Sequence, residues 1–345
     1  MSKMTSLERS LRAIRLEQPD RVPVIPQAHI WVEYNYGSSS HELMYNGTRY
    51  AELQIEAWQD FGWDGIFVAT DSVALAHSLG LEVMDTDLGV APSPEGILKN
   101  LEAVENLDWV DPRQTRLNEW ITATRILAEQ VGDKVLVIAR ADQGAFSLAA
   151  QLHGMQDFLL EVGLGQKPAQ IHQLLEFCNR YILNFADLLL EAGAHVVTIG
   201  DALASGSLVS PAVYNQYAFP YQRKLAEEVM KRGRYFSIHV CGKITRVIDR
   251  LVQTGTHILE FDAPTDFETA WQAGRGKTCL LGNVDTSDVL AFGSPDQVKE
   301  ECRWRIEKVK PDSGYILSSG CAISPNAPAE NLQAMVESAQ EYGRY

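Results

Sequence analysis

Two hydrophobic periods take turns along this chain. Short apolar runs of strand length occur at residues 21–27, 65–71, 134–142, 195–201, 235–241, 257–262, 278–285 and 314–321. Between them lie longer segments in which apolar residues recur every three or four positions. These predict helices over about 48–61, 115–130, 145–163, 167–192, 211–232, 295–309 and 328–342, with a short one ending near 254. Ahead of the first run, Thr5-Ser-Leu-Glu8 reads as a capping box leading into Leu7, Leu11 and Ile14 at helical spacing. The pattern loosens from Gly80 to Leu107, where a small hairpin insertion is expected before the third strand.

Strands that read as continuous apolar runs, each followed by a helical segment, imply a parallel sheet covered on both faces. Eight such repeats predict an α/β fold of the (β/α)8 TIM-barrel type, with residues 1–345 as a single domain. An open doubly wound sheet is the alternative.

Composition narrows the function. Hydrophobic residues make up 46% of the chain, enough for a large core, and the formal net charge is −15. That charge argues against a nucleic-acid partner, which calls for a basic footprint, and against an anionic membrane surface. No apolar run is long enough to span a bilayer, and the start, Met1-Ser-Lys-Met-Thr-Ser, has no apolar signal core, so a cytoplasmic location is expected. The 5 cysteines, odd in number and widely spaced, suit a reducing compartment.

The chemistry gathers at the strand ends. Nearly every apolar run closes on a polar or ligand-type residue: Gln27 and His29, Asp71, Asp142, Asp201, His239 and Cys241, Glu260 and Asp262, Asn283 and Asp285, and Cys321. In a barrel these ends converge on one mouth. His239 and Cys241 stand two residues apart on one strand, so an imidazole and a thiol share a face. Cys321 ends the last strand and supplies a third soft ligand. Thiolate and imidazole are zinc ligands, and a catalytic zinc keeps a further position open or exchangeable. The expected zinc ligands are therefore His239, Cys241 and Cys321, with Glu260 or Asp262, which share one face of the adjacent strand, as a displaceable fourth. Two thiolates temper the Lewis acidity of zinc and suit alkyl transfer to sulfur better than hydrolysis.

Further motifs carry a family likeness: Glu8-Arg9 with Pro19-Asp-Arg-Val-Pro-Val24 at the start, Gly144-Ala-Phe-Ser-Leu-Ala-Ala150 with Gly154, Leu281-Gly-Asn-Val-Asp285, and Ser324-Pro-Asn-Ala-Pro-Ala-Glu-Asn331. Over nearly its whole length the chain resembles the uroporphyrinogen decarboxylase superfamily. Within it, His239, Cys241 and Cys321 match the pattern of the zinc-dependent methylcobamide:coenzyme M and related corrinoid-dependent methyltransferases. The resemblance implies a (β/α)8 barrel that moves a methyl group between a methylcobamide on a separate corrinoid protein and a small thiol or methylated substrate. Where the decarboxylases carry an arginine-rich segment, this chain reads Pro26-Gln-Ala-His-Ile30, which disfavours the alternative of a metal-free porphyrinogen decarboxylase. Asp71 matches the position of the decarboxylases' key aspartate. The likeness extends to cobalamin-independent methionine synthase, whose acidic zinc ligand would fall near Asp262.

Asp71 and Asp201 are expected as catalytic residues orienting the substrate, with Asp201 a candidate acceptor of the thiol proton. Gln27, His29 and Asn283 are expected to bind substrate. The chain has no Asp-x-His-x-x-Gly corrinoid motif, so the cobamide would arrive on its partner over loops 37–41 and 204–207. Trp31, Tyr34 and Tyr36 are candidates for an aromatic pocket wall.

Overall fold

Nine strands, numbered along the chain, occur among the described residues of this computed structural model: β1 Gly65–Val68, β2 Val83–Thr86, β3 Gly89–Pro92, β4 Leu136–Gln143, β5 Val196–Gly200, β6 Tyr235–Val240, β7 Ile258–Phe261, β8 Cys279–Val284 and β9 Tyr315–Ser319. The structure describes residues 4–37, 40–69, 71–86 and 89–345. Seven strands form one parallel sheet in the order β1-β4-β5-β6-β7-β8-β9, while β2 and β3 pair antiparallel as a separate hairpin. That hairpin is the insertion expected before the third barrel strand.

The first apolar run, 21–27, closes the ring without forming a regular strand. Val24 bridges in parallel to Leu317 of β9. Ile25 N–H donates to Leu317 O and Leu317 N–H to Pro23 O, both at 2.9 Å, and on the other side Asp64 N–H donates to Val24 O at 2.8 Å. Pro23 and Pro26 have no N–H to offer, so this segment is limited to a few ladder bonds. It nonetheless occupies the eighth position between β9 and β1.

The inner face of the barrel changes character from one end to the other. Residues two apart share a face, and the inward residues at the strand starts are apolar. Phe67, Leu136, Ile138, Val196, Ile258, Cys279, Leu281 and Ile316 pack together with Ile25. Ala13 and Ile14 of the helix Ser6–Ile14 join this cluster, and Leu7 and Leu11 pack against it. The amphipathic first helix therefore plugs the end of the barrel where the strands begin. Toward the strand ends the inward residues turn polar: Arg140, Thr198, Ser237, His239 and Glu260. The outward residues, such as Val137, Val197, Ile238, Leu259 and Leu280, pack beneath the surrounding helices.

The helical run expected over 145–163 is two helices, Ala145–His153 and Met155–Leu164, broken at Gly154. No helix among the described residues is long and apolar enough to cross a membrane.

Candidate active site

His239 is the last inward residue of β6, is buried, and pairs across the sheet with Glu260. Cys241 follows directly. The chain then turns sharply at Gly242, whose φ of 73° suits glycine. Its N–H donates to Asp262 Oδ2 at 2.8 Å. Cys321 is delivered from the end of β9 by Gly320, where a Cβ would lie 2.7 Å from Ala263 N and 2.9 Å from Asp262 Oδ1. Only glycine passes that close to the β7 end.

These turns place three soft ligand atoms together. His239 Nε2 lies 3.0 Å from Cys241 Sγ and 3.8 Å from Cys321 Sγ, and the two sulfurs are 3.9 Å apart. One ligand atom from each residue lies within 4.8 Å of the others. A tetrahedral zinc with ordinary Zn–S and Zn–N bonds spaces its ligands by roughly 3.5–3.8 Å. The donor set thus fits one zinc ion and leaves a coordination position for an incoming group; the two separations to Cys321 match this spacing, and the 3.0 Å His239–Cys241 pair is tighter by about 0.5 Å.

The hydrogen bond from Cys241 holds the Cys321 thiol well below its ordinary range, while Cys241 is pushed up by that same contact and by burial. Burial works against a charged His239, but the Cys321 sulfur and, behind it, the Glu260 carboxylate together outweigh burial and raise its pKa.

The cluster opens into a cavity of about 300 Å³. Gln27, His29, Asp71, Arg140, Gln143, His239, Cys241 and Cys321 line it, with Ile30, Val90 and Ala322 as apolar wall. Val90 comes from the β2–β3 hairpin. A larger groove of about 650 Å³ runs along the outer helices past Trp31 and Tyr36, away from this cluster. Trp31 is spent on packing: its indole N–H donates to Ala327 O, and its ring meets Phe61 edge-on.

Several polar atoms around the cavity have no hydrogen-bond partner among the described residues: Gln27 Nε2, His29 Nδ1 and Arg140 Nε. Gln27 is 1% exposed and His29 6% exposed. Burial and the nearby Arg140 charge depress the His29 pKa to about 3, so its ring is neutral. Gln27 Nε2 and Arg140 Nε are both donors. Buried donors without acceptors point to a ligand that brings acceptors.

Asp71 reaches the cavity but is already engaged. Arg116 donates to it through both terminal nitrogens, at 2.6 and 3.0 Å, and Arg116 Nε donates to His77 Nδ1 at 2.9 Å. Two other expected site residues, Asp201 and Asn283, face elsewhere, and Asp262 lies beside the cluster with both oxygens engaged. Asp201 is fully buried at the start of the helix Ala145–His153. It accepts from Ser147 N–H at 2.9 Å, Ser147 Oγ at 2.7 Å and Gln222 Nε2 at 2.8 Å. Asn283 donates to Thr265 O at 2.9 Å and accepts from Arg305 Nε at 3.1 Å, bracing the β7 and β8 ends. Both oxygens of Asp262 accept backbone N–H groups, from Gly242 at 2.8 Å and Ala263 at 2.7 Å, and burial raises its pKa. It stands beside the ligand cluster and orients its turns. Of the two loops expected to meet a partner, residues 38 and 39 of the first lie outside the described residues.

Arg140 was not among the expected site residues. Its signal was a charge inside an otherwise apolar strand, Val137-Ile-Ala-Arg-Ala141.

The family model described as uroporphyrinogen decarboxylase (URO-D) matches residues 5–342. The chain is 30% identical to the methylcobamide:CoM methyltransferase MtbA of Methanosarcina acetivorans over 347 residues, covering 99% of each. It is 28% identical to the uroporphyrinogen decarboxylase of Prochlorococcus marinus over 312 residues, 87% of this chain and 84% of that one. Among solved structures, a methyltransferase from Methanosarcina mazei superposes with a TM-score of 0.87 at 23% identity, covering 98% of this chain and 99% of that one, which establishes the common barrel fold.

Proposed function

The chain belongs to the uroporphyrinogen decarboxylase family, and within it we propose that it works as a zinc-dependent enzyme of a corrinoid-linked methyl-transfer system. Methyl transfer is the activity named for its full-length relatives, and it is the activity of this enzyme. The observation that carries the zinc reading is the His239–Cys241–Cys321 cluster on the cavity wall. When bound there, zinc supplies the Lewis acidity that keeps a substrate thiol ionised near neutral pH.

The methyl group comes from a cobamide carried by a separate corrinoid protein, and the acceptor is a small thiol. His239, Cys241 and Cys321 hold the metal. Arg140 and Gln27 line the cavity, and the Arg140 charge with the buried, unpartnered donors Nε and Nε2 behind the wall favours a thiol whose other end is an oxyanion such as a carboxylate or sulfonate. Neutral His29 adds a hydrogen bond and no charge. Asp71, fixed by Arg116, gives the wall a rigid acceptor. Ile30 and Val90 narrow the opening and exclude water around the sulfur. Asp201 and Asp262 act by holding the turns that present these groups. A polycarboxylate porphyrinogen would need several cations, and among the described residues lining the cavity Arg140 is the only arginine or lysine.

The test is elemental analysis of the purified protein and of Cys321→Ser, followed by demethylation of methylcobalamin with 2-mercaptoethanesulfonate, 3-mercaptopropionate and neutral 2-mercaptoethanol. About one zinc per chain, lost in the variant together with thiol methylation, is the expected result. A metal-free protein that takes up no zinc on titration would overturn it.

A further inference from the structure

Glu260 is a carboxylate inside the barrel, fully buried on β7. Buried carboxylates are kept only where their lone pairs are used. One oxygen is fully used: Oε1 accepts from Thr198 Oγ1 and, at 2.7 Å, from Ser237 Oγ. These hydroxyls stand side by side on β5 and β6, because Thr198 and Ser237 are register partners. They fix the rotamer of Glu260 from below.

The other oxygen is aimed upward. Glu260 Oε2 lies 3.7 Å from His239 Nδ1 and 3.6 Å from Arg140 Nη2. Neither Oε2 nor His239 Nδ1 has a hydrogen-bond partner among the described residues. Two buried, complementary and unsatisfied atoms thus face each other across one imidazole. The other ring nitrogen, Nε2, looks toward Cys241 and Cys321.

We propose that Glu260 is a positioning residue for the metal centre: it accepts the Nδ1–H of His239, fixing the tautomer that leaves the Nε2 lone pair free to ligate. This rests on the zinc reading given above. A histidine ligand gains basicity and a fixed ring plane when its remote N–H is held by a carboxylate. Glu260 itself is no ligand, because Thr198 and Ser237 hold it beneath the ring. Arg140, between Glu260 and Gln27, shares the carboxylate charge and links the metal-orienting group to the cavity wall.

Glu260→Gln tests this with a defined sign. The glutamine keeps the volume and can still accept from Thr198 and Ser237. Its amide then turns a donor toward Nδ1, which favours the tautomer protonated at Nε2 and opposes ligation. Zinc affinity, measured by competition with a chromogenic chelator, is expected to fall roughly 10–100-fold. A second measurement needs no variant: in the zinc-loaded wild type, 15N-histidine NMR is expected to show His239 protonated at Nδ1 in a hydrogen bond and metal-bound at Nε2. Equal affinity in wild type and Glu260→Gln, or ligation through Nδ1, overturns the proposal and leaves the zinc reading standing. A wild type that takes up no zinc overturns both. Should Glu260→Gln fail to fold, the wild-type spectrum decides.

Discussion

Arg116 grips Asp71 through two hydrogen bonds on the wall of the cavity, with side-chain exposures of only 2% and 6%. The pair spans 45 positions of sequence and ties the loop after β1 to the start of the helix Leu117–Val131. Removing one member leaves a buried charge uncompensated. Arg116→Met is expected to cost about 3–5 kcal/mol in chemical denaturation. Arg116→Met with Asp71→Asn together should recover much of that loss. A double variant no more stable than Arg116→Met would show that the pair is not the source of the cost.

Glu33 faces the same region from the helix His29–Asn35. It is fully buried, donated to by Ser40 Oγ, and repelled by Asp71. Burial, with that repulsion added, raises its pKa from 4.5 to about 8. Between these values the unfolded chain releases a proton that the folded chain keeps. Folding stability therefore falls as pH rises through this window, by at most ~1.4 kcal/mol per pH unit for this group. Glu33→Gln removes that slope. The loss of urea midpoint between about pH 5 and about pH 8 should shrink in the variant. It should not vanish, because Asp142, raised to about 7 by burial and by Asp71, keeps its own contribution. An unchanged slope would mean that Glu33 ionises in the folded state.

Asp201 holds three donors from two helices. Asp201→Ala leaves them without an acceptor and should destabilise the protein by roughly 3 kcal/mol, given about 1–3 kcal/mol for each buried unsatisfied group. Asp201→Asn retains an acceptor and should cost less. Neither change should alter zinc stoichiometry. Loss of turnover at full stability in Asp201→Asn would instead give this carboxylate a direct chemical role.

Arg140→Met removes the cationic donor of the cavity at similar length. With an acidic thiol as acceptor, KM is expected to rise by roughly 10–150-fold, the equivalent of about 1.5–3 kcal/mol for a hydrogen bond to a charged group. With 2-mercaptoethanol the change should be small. Equal effects on both thiols would show that Arg140 acts on the fold or on Glu260 and not on the substrate anion.

Much of this molecule can be read from the order of its residues. Alternating strand and helix periods specify a parallel α/β barrel because each strand must be covered on both faces, and the structure has that sheet. The meeting of His239, Cys241 and Cys321 was legible too, since His239 and Cys241 are two apart on a strand and strand ends of a barrel converge. Gln27, His29 and Asp71 likewise reach the cavity. Tertiary structure alone decided which strand-end acids face the cavity and which are consumed. Asp201, Asn283 and Asp262 look like site residues in sequence. In the fold, Asp201 is held by Ser147 and Gln222 and Asn283 by Thr265 and Arg305, while Asp262 accepts the Gly242 and Ala263 amides beside the His239–Cys241–Cys321 cluster. Those partners come from other elements, so no local pattern announces them. The same holds for Arg140 and for the setting of Glu260, which the sequence marks only as one strand-end acid among several. Arg140 shares its strand with Asp142 and Glu260 is the one charge of β7, and only closure of the barrel brings the two within 3.6 Å of one another beneath the His239–Cys241–Cys321 cluster.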